Sequence, residues 1–157
     1  MNFREHLIST HAYLAPAKTL DGLSAADAER RVDGVPHSIA DLVAHMSFWQ
    51  DWWHARCTGK PAAIAASAAI GWPQVAPNSW STVHARFLGG LEQLASLGDG
   101  DINKLIAPAI EFPPFAHFTV GDALIHAAGH NAHHLGQVVT VRQLLGLWPP
   151  PAGSWTW

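Results

Sequence analysis

The chain has 157 residues, of which 48% are hydrophobic and 13% are charged, and its formal net charge at pH 7 is −3. Only 9 of its residues are lysine or arginine, so the basic surface that nucleic acid requires is not expected. The single cysteine, Cys57, excludes an intrachain disulfide and is typical of a reducing compartment, so we expect a cytoplasmic protein.

The predicted elements are helices, with no convincing strand alternation. The first is an amphipathic stretch from about residue 2 to residue 15, in which Phe3, Leu7 and Leu14 have helical spacing. It ends near Pro16, because proline is not tolerated inside a helix. The sequence therefore predicts a first helix over most of this stretch.

Two further helices are predicted from their capping sequences. Ser24-Ala-Ala-Asp27 has the pattern of a capping box and opens a short helical piece that ends by Gly34. Ser38-Ile-Ala-Asp41 has the same pattern and opens a long helix. This long helix continues through LVAHMSFWQDWWHAR to about Cys57.

Two connections separate the remaining helices. Residues 59–78 are rich in alanine, proline and glycine, which predicts a crossing loop with a helical turn in its alanine-rich centre. A helix from about residue 79 to residue 97 follows, and prolines make residues 101–118 irregular. Thr119-Val-Gly-Asp122 then caps a last helix that continues to about Leu145.

Four main helices predict an all-α fold of the four-helix-bundle class, formed as a single domain over residues 1–157. The closing residues, WPPPAGSWTW, are expected to pack across the bundle by their tryptophans. The beginning of the chain lacks the apolar core of a signal peptide, and no run approaches the roughly 18 apolar residues of a membrane span. Few charges and a mean hydropathy of +0.06 indicate an additional buried interface, and we expect a homodimer.

Three histidines lie in HNAHHLGQ, residues 130–137, on the last predicted helix. Residues four apart on a helix differ by about 40° in azimuth and about 6 Å in height, so His130 and His134 can reach one ion, whereas His133 points elsewhere. With 11 histidines in the chain, random placement gives about 0.75 pairs of this spacing. The chain has two, because His126 and His130 form the other, so spacing alone does not separate a metal site from hydrogen-bonded helix histidines.

A third candidate ligand, His45, lies in the middle of the earlier long helix. It shares a helical stripe with Leu42, Phe48, Trp49 and Trp52, and this stripe is the face most expected to be buried. A lone histidine there is more often a hydrogen-bonded core residue, yet bundle cores are also where facing helices pool side chains around a metal. Three histidines from two helices leave coordination positions open for water or substrate.

The side chains near these histidines have two interpretations each. Trp49 and Trp52 line a pocket or belong to ordinary core packing. Gln137 is a hydrogen-bond partner of a ligand or packs at a helix interface, and the sequence does not separate these. His126, one turn before the pair, is a further candidate for the pocket.

Other polar residues have plain structural explanations. Cys57 lies about three turns beyond His45 with no basic environment in the sequence, which makes it a poor candidate nucleophile. Asp41 is better explained as the cap partner of Ser38 than as a metal ligand. The remaining histidines lack a ligand-spaced partner, and most of them are expected to be solvated: His6, His11, His37, His54, His84 and His117.

The segments PHSIADLVAHMSFWQDWW and HAAGHNAHHLGQVVTVRQLLGLWPPPAGSWTW together resemble the DinB/YfiT-like superfamily over essentially the whole chain. The shared pattern is a histidine on the second helix and H-x-x-x-H, followed by R-G-Q or L-G-Q, on the last. The resemblance implies an up-down-down-up four-helix bundle, commonly dimeric, with a divalent metal bound by His45, His130 and His134. Leu135 stands where relatives often have an arginine, so any contact that this arginine makes is absent.

The resemblance also implies an activity, because some relatives are S-transferases or isomerases that use low-molecular-weight thiols. Three neutral imidazoles leave an ion its full double charge, which makes it a Lewis acid for a thiol or for water. We therefore expect a metal-dependent enzyme, S-transferase-like or hydrolase-like, that acts on a small molecule. The alternative is a non-catalytic metal-binding bundle with a structural, sensory or stress-related role. Zinc or nickel is the expected ion, with iron and copper also accepted by imidazole ligands.

Overall fold

The computed structural model describes residues 2–9, 12–60, 62–106 and 113–154. Within these ranges the secondary structure is helical apart from an isolated antiparallel bridge between Leu105 and Thr119. The helices are α1 (Phe3–Leu7), α2 (Pro16–Thr19), α3 (Ala25–Glu29), α4 (Ile39–Cys57), α5 (Trp80–Leu97) and α6 (Val120–Leu144), with 3-10 turns at Ala68–Gly71 and Pro113–Phe115. The predicted all-α class is confirmed.

The two helices that carry the candidate ligands begin at capping boxes. In α4 the Ser38 side chain accepts from the backbone N–H of Asp41, and the Asp41 carboxylate accepts from the backbone N–H of Ser38. Thr119 and Asp122 make the same pair of contacts at the start of α6. These contacts satisfy N–H groups that the first turn of a helix leaves unpaired. Both predicted starts are confirmed to the residue.

The predicted first helix is wrong in its length. The helix α1 ends at Leu7, and residues 12–15 are not helical. Isoleucine and serine, which follow Leu7, are weaker helix formers than Leu7 itself, and a single turn of helix gains little from propagation. Pro16 does not end a helix but opens α2 as its first residue, where its missing N–H has no cost.

The long helices pack around α4, which contacts both α5 and α6, while the short α1 also packs against α5 and α6. Their buried apolar side chains form one cluster, which includes Leu42, Val43, Met46, Phe87, Leu91, Leu94, Leu124, Leu135 and Val138. Of the six helices in the described ranges, α4, α5 and α6 are long and α1, α2 and α3 are short. Because α4 lies directly against α6, the histidine-bearing faces of these two helices are brought together.

The connection between α4 and α5 folds back onto α4. Trp52 donates from Nε1 to the backbone oxygen of Ala63 at 2.7 Å, and Arg56 donates from Nη1 to that of Ala62 at 3.0 Å. The predicted helical turn in this connection is confirmed as the 3-10 turn Ala68–Gly71. Its last residue, Gly71, reaches the candidate site.

Parts of the sequence predictions concern residues outside the described ranges. These are His11, residues 107–112 of the irregular segment, and the tail tryptophans Trp155 and Trp157. In the part of the chain that is described, no helix combines the length and the apolar character needed to cross a membrane.

Candidate metal centre

Three imidazoles from α4 and α6 converge inside the bundle. His45 comes from the middle of α4, and His130 and His134 come from successive turns of α6. His45 and His134 are each only 7% exposed, and His130 is half-buried. Their burial follows from the packing of α4 on α6, since each residue lies on the face that its helix turns toward the other.

The distances between these rings fit a shared ion. The Nε2 atom of His130 lies 3.2 Å from Nε2 of His45 and 3.1 Å from Nε2 of His134. One ring nitrogen from each of the three residues lies within 4.8 Å of the others. A tetrahedral ion with bonds of about 2.0–2.1 Å to nitrogen separates its ligands by about 3.3 Å, close to two of these spacings.

Hydrogen bonds on the far side of two rings decide which nitrogen is free. Nδ1 of His45 lies 2.6 Å from the backbone oxygen of Gly71, and Nδ1 of His134 lies 2.6 Å from Oε1 of Gln137. Both oxygens can only accept, so each Nδ1 carries the proton and each Nε2 keeps its lone pair toward the centre. This is the arrangement found around metal-binding histidines, and the donor set therefore fits a divalent metal.

The electrostatics of the site keep the rings neutral. Burial, followed by the neighbouring His134 and His45, lowers the pKa of His130 to about 3. Burial also lowers the pKa of His134 to about 4, although the hydrogen bond to Gln137 acts in the opposite direction. The pKa of His45 is lowered as well, first by burial. At pH 7 all three imidazoles are unprotonated and able to donate a lone pair.

The other two histidines in this part of α6 do not join the cluster. His133 is exposed, in agreement with its predicted direction. His126 lies against aromatic rings instead, with centroid distances of 5.1 Å to Trp53, 5.3 Å to Phe115 and 6.1 Å to Phe118. In the described residues His126 is therefore part of an aromatic cluster rather than of the three-histidine group.

The predicted tryptophans take different positions. Trp49 is half-buried and meets His45 and His130 edge-on, each at a centroid distance of 6.5 Å. Trp52 lies one ring farther away, 5.7 Å from Trp49, and is 6% exposed. Trp49 thus forms a wall of the site, whereas Trp52 supports that wall from the core.

Sequence reasoning missed Trp72, which lies on the connection between α4 and α5. Its indole is stacked on His45 with centroids 3.8 Å apart and planes 11° from parallel. The His37 ring is stacked on the same indole at 3.7 Å and 7°. Two parallel rings this close to one centroid must lie on opposite faces, so Trp72 is held between His37 and His45. The only signal in the sequence is a lone tryptophan between a glycine and a proline.

The expectation that most remaining histidines are solvated is met by His6 and His117, which are exposed. His37, His54 and His84 are partly buried. The ring of His84 is stacked on Trp80 at 5.1 Å, as His37 is on Trp72. Of these two stacks, only that of His37 on Trp72 joins residues that are distant in sequence, and that contact could not be predicted from the spacing of residues.

Three residues discussed as possible participants do not contribute to the site. Cys57 is 6% exposed, and burial raises the pKa of its thiol to about 11, so the thiolate is scarce at neutral pH. Asp41 caps α4 and also pairs with Arg31 at 2.8 Å. Leu135 is 1% exposed and belongs to the core, so the position where relatives often have an arginine is apolar and buried here.

Three cavities are lined by residues other than the three histidines. A cavity of about 430 Å³ is lined by Tyr13, Ala132 and Trp148, among others, and one of about 300 Å³ lies beside Phe3 and Ile125. A third, of about 150 Å³, has His37 and Gln137 in its walls. This smallest cavity reaches the residues that support the ligands rather than the ligands themselves.

Comparison with known proteins gives one result. Residues 11–138 match the family model of the DinB superfamily, which covers well over half of the chain. No curated protein and no solved structure matches.

Proposed function

The chain belongs to the DinB superfamily, and from this membership and the site geometry we propose that it is a metal-dependent enzyme acting on a small molecule. The ligands in this proposal are His45, His130 and His134. The observation that carries it is the convergence of their three ring nitrogens within 4.8 Å. The reaction class that we propose is thiol transfer or hydrolysis.

The protein's own residues have defined roles in this proposal. A divalent ion, with zinc or nickel favoured over iron or copper, would supply Lewis-acid activation of a small thiol or of water. Gly71 and Gln137 orient two ligand rings, while Trp49 and Trp72 exclude bulk water from one side and so strengthen electrostatic interactions in the site. Cys57, with a pKa of about 11, is unsuitable as a nucleophile. The nucleophile therefore comes from a low-molecular-weight thiol or from water.

The metal assignment is tested by two substitutions at adjacent positions of α6. We expect His134→Ala to remove bound metal, because it deletes a ligand with a buried and hydrogen-bonded ring. We expect His133→Ala, at an exposed position, to keep the metal content of the unaltered protein. Elemental analysis of both variants, purified without an affinity tag, measures this. Equal metal content in the two variants contradicts the assignment.

The second candidate function is that of a non-catalytic metal-binding bundle with a structural, sensory or stress-related role. It is favoured by the cavities of about 430, 300 and 150 Å³, since the residues that line them do not include the three histidines. Cobalt-substituted protein separates the two functions. A change in the visible spectrum on addition of a small thiol, together with turnover in a thiol-transfer screen, supports the enzyme. An unchanged spectrum supports the structural role.

Assembly, topology and location are also proposals. We propose a homodimer, supported by the low content of charged residues, 13%. Sedimentation at micromolar concentration tests it, and a particle of 16.9 kDa contradicts it. We further propose that α1, α4, α5 and α6 are the four members of an up-down-down-up bundle, supported by the contacts of α1 and α4 with both α5 and α6. A cytoplasmic setting is supported by the single, unpaired Cys57.

A further inference from the structure

Two consecutive residues of the connection between α4 and α5 contact His45. The backbone oxygen of Gly71 accepts a hydrogen bond from Nδ1 of His45 at 2.6 Å. The indole of Trp72 covers the face of the same imidazole at a centroid distance of 3.8 Å, and its edge meets His134 at 5.8 Å. A non-helical segment thus contacts one candidate ligand directly and lies beside a second.

We propose that Gly71 and Trp72 are positioning residues of the metal centre. The Gly71 carbonyl selects the tautomer of His45 that leaves Nε2 free, and the Trp72 indole fixes the plane of the ring. Metal affinity consequently depends on the connection as well as on the two helices. This inference rests on the proposed function, because it assumes that an ion binds at the three histidines.

The helix alone does not orient His45. The second side-chain torsion of histidine has a broad distribution, and a half-turn about it exchanges the positions of Nδ1 and Nε2. His134 avoids this through Gln137, which lies on its own helix three residues later. The hydrogen-bond partner of His45 Nδ1 is instead the Gly71 carbonyl, which lies outside α4 and 26 residues later in the sequence. The connection therefore does for His45 what α6 does for His134.

The connection is itself held in place at this point. A Cβ atom on Gly71 would lie 3.1 Å from Nε1 and 3.3 Å from Cζ2 of Trp49, so the turn packs closely against α4 and any larger residue there requires one of the two to shift by a few tenths of an ångström. Trp72 is fixed on its opposite face by His37, at 3.7 Å. These contacts give the Gly71 carbonyl and the Trp72 indole the fixed geometry that positioning requires.

The test compares two site variants with two matched controls. We expect Trp72→Leu to weaken zinc binding by about 10–100-fold, the range found when groups that orient metal ligands are removed. Gly71→Ala keeps the carbonyl but crowds Trp49 and so displaces the turn, and we expect a smaller loss, at most about tenfold. Trp80→Leu is the control for the first, since Trp80 is likewise stacked on a histidine, His84, that is not one of the three candidate ligands. Trp80 is buried whereas Trp72 is only partly buried, so this control removes at least as much core packing. Gly100→Ala is the control for the second, since its added Cβ makes only an ordinary 3.5 Å contact. Competition titration with a chromophoric chelator measures all four affinities.

A conservative variant and a metal-free measurement separate positioning from general loss of structure. Trp72→Phe keeps a stacking ring and is expected to restore most of the affinity. In the metal-free protein, long-range ¹H–¹⁵N NMR of the imidazoles should find the His45 proton on Nδ1, and Gly71→Ala and Trp72→Leu should shift this population toward the other tautomer. Thermal unfolding of each variant identifies any that does not fold. If Trp72→Leu does not fold, the zinc affinity of Trp72→Phe relative to the unaltered protein tests the role of the stacked ring.

The outcomes distinguish failure of the proposed function from failure of the positioning role of Gly71 and Trp72. An unaltered protein that binds neither zinc nor nickel, iron or copper overturns the proposed function, and this inference with it. An unaltered protein that binds zinc, with affinity and His45 tautomer unchanged in Trp72→Leu and Gly71→Ala, overturns this inference alone.

Discussion

Two histidine pairs on α6 have the same four-residue spacing and different surroundings. His130 and His134 face His45 of α4, and their nearest ring nitrogens are 3.1 Å apart. His126, one turn before His130, lies among the rings of Trp53 and Phe115. Helical spacing therefore places two imidazoles side by side, but it does not decide whether they share a ligand.

The difference lies in what each ring meets beyond its own helix face. His134 has a hydrogen-bond acceptor behind it in Gln137, and His45 has one in the Gly71 carbonyl, so both direct Nε2 inward. Among the described residues the contacts of His126 are with aromatic rings, which are poor hydrogen-bond acceptors and do not select a tautomer. Acceptors behind the rings, together with a histidine on the facing helix, distinguish a metal centre from an aromatic cluster.

The largest effect is expected from substitution of His130, which belongs to both pairs. We expect His130→Ala to abolish metal binding, because two ligands from different helices bind an ion far less tightly than three. His126→Ala should leave the metal stoichiometry unchanged. Elemental analysis after dialysis against a weak chelator measures both. Loss of metal in His126→Ala would show that the aromatic cluster belongs to the site.

A smaller effect is expected at the acceptor behind His134. Gln137→Ala should weaken metal binding by about 10–100-fold without abolishing it, since the ligands remain but one is free to rotate. Gln143→Ala provides the control, because Gln143 is likewise an exposed glutamine of α6. Isothermal titration of the metal-free variants gives the affinities. Equal affinities in the two variants would mean that the 2.6 Å contact to Gln137 does not orient the ligand.

The parts of the fold that the sequence predicts are those controlled by nearby residues. The capping pairs Ser38 with Asp41 and Thr119 with Asp122 are three residues apart, and both helix starts were predicted correctly. The direction of His133 away from His134 follows from helix geometry in the same way. Such features depend on local hydrogen bonds and on the helical repeat, which one segment of sequence contains completely.

The parts that the sequence does not predict depend on distant contacts. Trp72 reaches His45 only because the connection folds back onto α4, and the spacing of apolar residues in a proline- and glycine-rich loop carries no signal for that fold. His126 has the same spacing to His130 as His134 has, so its separate environment is invisible in sequence. The short α1 is a third case, because Leu14 is buried as its place in the predicted helix implied, yet α1 ends at Leu7 and does not contain it.

The smallest expected effect is on the pH dependence of the stability of the metal-free protein. The pKa of His130 is lowered to about 3, so near pH 5 the unfolded chain binds a proton there that the folded protein does not. The contribution of this group to the free energy of unfolding is therefore complete above about pH 6.5. It falls as the pH decreases toward 3, by up to about 1.4 kcal/mol per pH unit.

His130→Gln should reduce the slope of the free energy of unfolding against pH between about pH 6 and pH 4, measured by urea unfolding in the presence of a chelator. His126→Gln should reduce it less: desolvation also lowers the pKa of His126, whereas the pKa of His130 is lowered both by burial and by the four imidazoles around it. Identical slopes for the unaltered protein and His130→Gln would mean that this imidazole is not kept neutral by the site.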